Sequence, residues 1–263
     1  MVRTLLSFLL LWPLISVAAS SPQRLNLCHE DQNAFPWVFT AGSQSYGLDI
    51  ELLRLVADRM DIEIRFHNQP WRRCLQSMQF GQVDGVFASS FKQNRLQMGH
   101  YPMTPDGQLD KGLRIHISGY SLYRQKGSRL TWSGNNFSGL TGRIGVQPGF
   151  SIVDRLRMLN VKLDEGARGP VAILDKLRRG RIQGAALQTL RADFVISQSA
   201  LLRESIEKWP EPISEKPYYL MLSFDLVRKH PDFSQRLWNT LAEQRESKHF
   251  EVIKQQFWRE YAE

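Results

Sequence analysis

Little in this chain suits chemistry by metal or thiol. It has two cysteines and six histidines in 263 residues. The histidines stand at 29, 67, 100, 116, 230 and 249, without the spacing of metal ligands. No nucleophile beside a base is visible. No low-complexity run occurs, and 42% hydrophobic against 23% charged residues marks a folded chain rather than a disordered one. Beyond the leader, no apolar run is long enough to cross a bilayer. Charge of one sign is nowhere concentrated. Lys and Arg are interleaved with Asp and Glu, so the formal net charge of +8 reads as a solvated basic surface with a mild preference for anionic ligands. It does not read as a nucleic-acid interface.

The first nineteen residues have their own character. Arg3 gives a positive start, Leu5 to Val17 is almost wholly apolar, and Ala18 and Ala19 are small. This is the grammar of an export signal cleaved after Ala19. The alternative, a membrane anchor, needs ~20 apolar residues. The first cysteine, Cys28, lies well beyond the apolar run, which argues against a lipoprotein. Export places Cys28 and Cys74 where disulfides persist. A bridge between them would stabilise by about 4 kcal/mol on the chain-entropy model. The alternatives are two buried free thiols or a metal pair.

The most informative feature is a block that occurs twice. Leu75 and Met78 precede Gly81 and then Gly85, followed by Val86 and Phe87. Leu174 and Leu177 precede Gly180 and then Gly184, followed by Ala185 to Leu187. Two apolar residues three apart mark the inner face of a helix. A glycine then ends it in the left-handed conformation. The second glycine opens an apolar strand. Two such units predict two α/β lobes of similar build, with a cleft between them.

The rest of the chain alternates strand and helix patterns. Strands are predicted over Arg24 to Cys28, Ile62 to Phe66, Gly85 to Ala88, Gly112 to Arg124, Arg143 to Val146, Val161 to Leu163 and Tyr218 to Val227. A helix follows Gly47, with Ile50, Leu53, Val56, Ala57 and Met60 on one face and Asp49 as its cap. Others run from Ser151 to Leu159, after Asp232 (a capping box with Gln235) and from Phe250 to Trp258. Pro210, Pro212 and Pro217 read as a crossing linker. The prediction is therefore an α/β protein with mostly parallel sheets. Residues 20–119 and 218–263 form lobe 1, and residues 120–217 form an inserted lobe 2. Two chain crossings make a two-strand hinge.

At this point a family resemblance can be stated. It is carried by Phe35-Pro36-Trp37, by Gly47 to Ile50, by Trp71, by Gly81 to Gly85 and by the loop from Ser89 to Arg95. In the second half it is carried by Arg143 to Gly149, Gly180 to Gly184 and Leu226 to Asp232. Together they resemble the family 3 extracellular solute-binding proteins, periplasmic receptors that feed polar amino acids to ABC importers. The resemblance implies the two-lobed type II periplasmic binding protein fold. It also implies a periplasmic, monomeric protein that captures a small polar, carboxylate-bearing, amino-acid-like solute for an ABC transporter permease. No catalysis, cofactor or nucleic acid is implied. A membrane sensor is the alternative partner. Some relatives of this fold are dehydratases acting on cyclic acids, for which His29, Glu30 or Asp31 would supply the acid or base.

The resemblance nominates Arg95 for the ligand carboxylate. An arginine fork suits that group because it pairs a carboxylate with two parallel hydrogen bonds. Ser89 and Ser90 stand beside it. Gln147 belongs to the second-lobe turn, and the amides near Gly149, Phe150 and Ser151 open a helix that can bind an anion. Phe35, Trp37 and Trp71 are candidate walls. Glu30 and Asp31 could read a cationic group, and Arg73 an acidic one. Each has a plain alternative: core packing for the aromatics, solvated loops or helix faces for the charges, a simple cap for the turn. Two features depart from the family pattern. Gln188 stands where amino-acid receptors carry an Asp for the α-amino group. The Asp84–Arg95 stretch is also one residue short, so Arg95 would approach at a different angle.

Overall fold

The computed structural model describes residues 21–42 and 44–260; the leader expected over 1–19 lies outside the described residues. In the first part of the chain come β1 (Arg24–Glu30), a hairpin of β2 (Phe39–Ala41) and β3 (Gln44–Tyr46), α1 (Leu48–Met60), β4 (Glu63–Gln69), α2 (Trp71–Gln79), β5 (Gly85–Ser90) and the long β6 (His116–Gln125). Next come a hairpin of β7 (Thr131–Ser133) and β8 (Asn136–Ser138), β9 (Ile144–Gly145), α3 (Ser151–Met158), β10 (Leu163–Asp164), α4 (Pro170–Arg178) and β11 (Gly184–Gln188). The chain ends with α5 (Thr189–Ser197), α6 (Ala200–Ser205), β12 (Ile206–Lys208), β13 (Ser214–Leu222), α7 (Phe224–Lys229), α8 (Pro231–Arg245) and α9 (Lys248–Glu260).

Apart from the two hairpins, the strands join one curled sheet in the order β10-β9-β11-β6-β13-β5-β1-β4, with β12 also on β6. At one end β1 is parallel to β4 and β5, and at the other β9 is parallel to β10 and β11. The middle is antiparallel: β6 pairs with β11, and β13 with both β6 and β5. The predicted parallel units are therefore joined through two long crossing strands. Separate cores follow from this layout. Leu25, Leu27, Ile50 and Leu53 pack with Leu237 and Leu241 of α8, while Cys28, Trp71, Met78 and Val86 fill the other face. In the second half, Leu122, Ile144 and Leu156 form one core and Ile173, Leu174, Leu177 and Leu187 another.

The repeated block behaves as its grammar demands. Gly81 and Gly180 take φ of 68° and 69°, just past the ends of α2 and α4, and a Cβ there would meet nothing. Their need is conformational. Gly85 and Gly184 are different. A Cβ on Gly85 would come within 2.5 Å of the Met221 carbonyl, and one on Gly184 within 2.6 Å of the Leu130 side chain. Those glycines let neighbouring elements approach.

Several local expectations need correction. Gly47, not Asp49, is the N-cap of α1; Asp49 is 2% exposed and turns inward. Pro217 lies inside β13, where only β6 flanks the strand, because β5 pairs from Tyr218 onward. One free edge is what a residue without an N–H tolerates. The stretch after Leu222 is helix rather than strand, since the Ser223 hydroxyl caps α7 by accepting from the Leu226 amide. Helix α8 starts at Pro231, a favoured first position, so Asp232 is already inside it. Helices α5 and α6 were not anticipated. Their apolar residues run together, as in Phe194-Val195-Ile196, instead of recurring at helical spacing.

Candidate functional site

The carboxyl ends of β1, β5 and β11, the start of β6 and the start of α3 converge on one enclosed cavity between the two halves. Ligands of open α/β sheets bind in such a place. The cavity is about 40 Å³, room for a few water molecules.

Arg95 forms one wall and is 4% exposed. It sits in a short 3-10 turn (Gln93–Gln97) after β5. One guanidinium nitrogen donates to the Ser90 carbonyl at 2.6 Å and to Ser89 Oγ at 3.3 Å. The other donates to the Gly149 carbonyl at 3.2 Å, and the fork lies 5.3 Å from the centre of the Trp71 ring. Tyr101 Oη donates to the same Ser90 carbonyl at 2.7 Å and braces it. Ala88 has φ of 54°, opposite a bulge between Tyr219 and Met221. There Ser90 lines the cavity while Ser89 lies behind it, against Tyr101. An arginine has five N–H donors, so three bonds leave two for a guest.

Glu30 also lines the cavity and is paired with Arg191 at 2.9 Å; their side chains are 14% and 3% exposed. Gln147 Oε1 accepts from Arg191 at 3.3 Å, and Gln147 Nε2 donates to the Arg168 carbonyl at 2.7 Å. Burial pushes the Glu30 carboxyl above its usual value, and Arg191 pulls it back. Arg191 Nε and Nη2 are buried without a partner among the described residues. Further contacts tie the halves together. Arg168 grips Asp31 at 2.7 and 2.8 Å, and Lys92 meets Asp154 at 2.7 Å.

The third wall is aromatic. The Trp37 ring lies flat on His116 at 3.9 Å and 1°, and Tyr218 stacks on the imidazole at 5.0 Å. Asp49 Oδ1 holds His116 Nδ1 at 2.8 Å. Gln188 Nε2 donates to Tyr218 Oη at 3.1 Å, which in turn donates to Tyr120 Oη at 3.3 Å.

The structure thus brings Glu30, Trp37, Trp71, Ser90, Arg95, Phe150, Ser151 and Gln188 to the cavity. Ser89 and Gln147 support them from behind. Gly149 contributes its carbonyl, an acceptor for Arg95, where an amide donor was expected. Asp31 stands outside the cavity, paired with Arg168. Phe35 does too, stacked 4.2 Å from Phe194 of α5. Arg73 is exposed and does not line the cavity; Arg72 is the one beside Gly149, where an added Cβ would lie 3.2 Å from its Nε. Arg191, His116, Tyr120 and Tyr218 were missed. Arg191 could have been found as the first-turn residue of a helix after the Gln188 strand. No signal in the sequence pairs His116 with Asp49. The anticipated Cys28–Cys74 bridge is present, and its alternatives of free thiols and a metal pair fall.

His29 also lines the cavity. Its Nδ1 donates to the Glu30 carbonyl at 2.8 Å, so Nε2 accepts from Ser45 Oγ at 2.7 Å. Burial pushes the ring below its ordinary value of 6.5, outweighing the hydrogen bond to the Glu30 carbonyl and the pull of Asp31. The unfolded chain therefore takes up this proton first. The His29 contribution to stability is present above pH 6.5 and is lost as pH falls below it. Urea midpoints at pH 7.5 and 5.5 are expected to differ less in His29→Gln than in the wild type. An equal acid loss in both would remove His29 as the cause.

The model of the bacterial extracellular solute-binding proteins, family 3, matches residues 27–105. Among solved structures, an ancestral arginine-binding protein bound to arginine superposes with a TM-score of 0.70 at 15% identity, covering 89% of this chain and 98% of that one. The fold is that of the type II periplasmic binding proteins. A histidine kinase sensor domain with similarity to periplasmic binding proteins reaches 0.72 at 14% identity, over 90% and 96% of the two chains. The GluR0 ligand-binding core from Nostoc punctiforme, in complex with L-glutamate, reaches 0.68 at 14% identity, over 89% and 98%. No curated protein matches this chain. The type II fold accounts for the cavity's place, since both halves offer strand ends to it. Among the described residues no helix is long and apolar enough to cross a membrane.

Proposed function

We propose that this chain is a periplasmic receptor that captures a small carboxylate-bearing solute, of amino-acid size, between two lobes. The lobes are residues 20–119 with 218–263, and the inserted residues 120–217. The observation that carries this is Arg95, a buried guanidinium on the cavity wall, braced by two carbonyls and a hydroxyl and backed by Trp71, with donors to spare. The first amides of α3 stand across from it and lack intrahelical acceptors. A carboxylate placed there gains charge-assisted hydrogen bonds from both halves and so favours their closure. The arginine-, glutamate- and lysine-bound neighbours of this fold support a guest of that size. An ABC importer is the partner we favour. The likeness to a kinase sensor domain supports a second reading, delivery of the closed form to a membrane sensor.

The test is a thermal-shift screen of amino acids, mono- and dicarboxylates and amines. A ligand at 100 times its Kd adds about 2.7 kcal/mol, a shift of about 5 °C or more for a chain of this size. Arg95→Ala is expected to weaken binding of the best acid at least about 100-fold. An unaltered affinity in that variant, measured by calorimetry, would overturn the reading.

A further inference from the structure

The cavity has a second built donor, opposite in kind to a simple wall. His116 is 6% exposed, lines the cavity, and is clamped between Trp37 and Tyr218, so its ring cannot turn. Its Nδ1 is committed to Asp49, and its Nε2 is buried with no partner among the described residues.

Asp49 Oδ1 holds Nδ1 from behind, which leaves Nε2 as the nitrogen aimed at the guest. A guest carboxylate in front and Asp49 behind would set the ring between two negative charges, which favours a proton on each ring nitrogen and so an N–H from Nε2 to the guest.

The remaining lining decides what fits that donor. Glu30 is engaged by Arg191, and Gln147 stands against it at 3.5 Å. Position 188 holds a neutral amide. Among the described residues no uncommitted carboxylate therefore lines the cavity to neutralise an ammonium group, whereas Arg95 and His116 both call for acceptors. We propose that His116, positioned by Asp49, is a second ligand-reading donor, and that the guest is a small dicarboxylate without an ammonium group. This rests on the reading of Arg95 given above.

The experiment uses the full mature chain with its disulfide intact. Calorimetry compares succinate and glutarate with butyrate and with glutamate, for wild type, His116→Phe and Arg95→Ala. The phenyl ring of His116→Phe keeps the stack and removes the donor. The expected result is that wild type binds a dicarboxylate at least 10-fold more tightly than butyrate and glutamate. In His116→Phe the dicarboxylate affinity falls about 10- to 100-fold while butyrate is unchanged. In wild type the 15N resonance of His116 Nε2 moves on adding the dicarboxylate, a readout that a merely structural ring would not give and that stands even if His116→Phe fails to fold. Loss of acid binding in Arg95→Ala with full dicarboxylate affinity in His116→Phe, or an unmoved Nε2 resonance at saturation, overturns the second subsite and leaves the receptor reading standing. Glutamate binding as tightly as glutarate also overturns it. No binding of any acid overturns both.

Discussion

Arg191→Ala is expected to part the two halves of the molecule without unfolding either. The Glu30–Arg191 pair is one of the most deeply buried charge contacts between them. Deleting one partner of such a pair typically costs about 3–5 kcal/mol, because the other charge stays buried and alone. Here the chain has a cheaper response. Glu30 belongs to the half built on β1, and Arg191 to the half built on β11. If the halves separate, Glu30 meets water and the penalty disappears. The opening free energy is thus a ceiling on the cost of the mutation. Arg191 also buries two unpartnered donors, which subtract from the pair's net gain, so the lower end of the range applies. About 3 kcal/mol is roughly a 100-fold shift toward the parted form. Small-angle scattering should show a larger radius of gyration, with urea unfolding nearly unchanged. A collapsed unfolding midpoint with unchanged scattering would mean that the pair serves folding instead.

Removing the disulfide should have the other large effect, and on folding itself. Cys28 and Cys74 are fully buried and 46 residues apart, so the bridge closes a long loop that contains α1 and β4. On the chain-entropy model such a closure contributes about 4 kcal/mol, and measured values commonly run from about 2 kcal/mol upward. Cys28→Ala with Cys74→Ala also leaves space where two sulfurs met Trp71, Met78 and Val86, which adds a packing loss. The expected outcome is a urea-derived stability at least about 2 kcal/mol below wild type, and a similar loss when wild type is reduced. Because Cys74 is three residues from Trp71 on α2, the wall behind Arg95 loosens as well. Equal stability with and without reductant, with both thiols shown free by mass spectrometry, would contradict this.

The sequence was legible wherever a local rule acted. The doubled block was read from its glycines and apolar spacing because a left-handed helix end and a close strand approach each leave few residues to choose from. Arg95, Trp37 and Trp71 reach the cavity wall because the fold imposes the order of the motifs that carry them. What could not be read depends on distant partners. Asp49 looked like a cap because Asp favours that place. Its turn toward His116, 67 positions away, is a tertiary choice. Pro217 looked like a linker because proline resists central strands, and only the one-sided pairing of β13 explains its presence. Phe35 and Arg73 were of the right types beside the right motifs, but periodicity near a turn does not fix the direction of a side chain.

The register of the crossing strands has a practical consequence. Ser118 faces Lys216 and Ile117 faces Pro217 across one antiparallel ladder, which holds opposed Cα atoms about 5 Å apart. The chain therefore leaves along β6 and comes back on β13 at nearly the same spot. A two-residue reverse turn is enough to span that gap. On the two-lobe division proposed above, excision of the intervening segment leaves a continuous polypeptide with its own core, and the same doorway accepts a foreign domain.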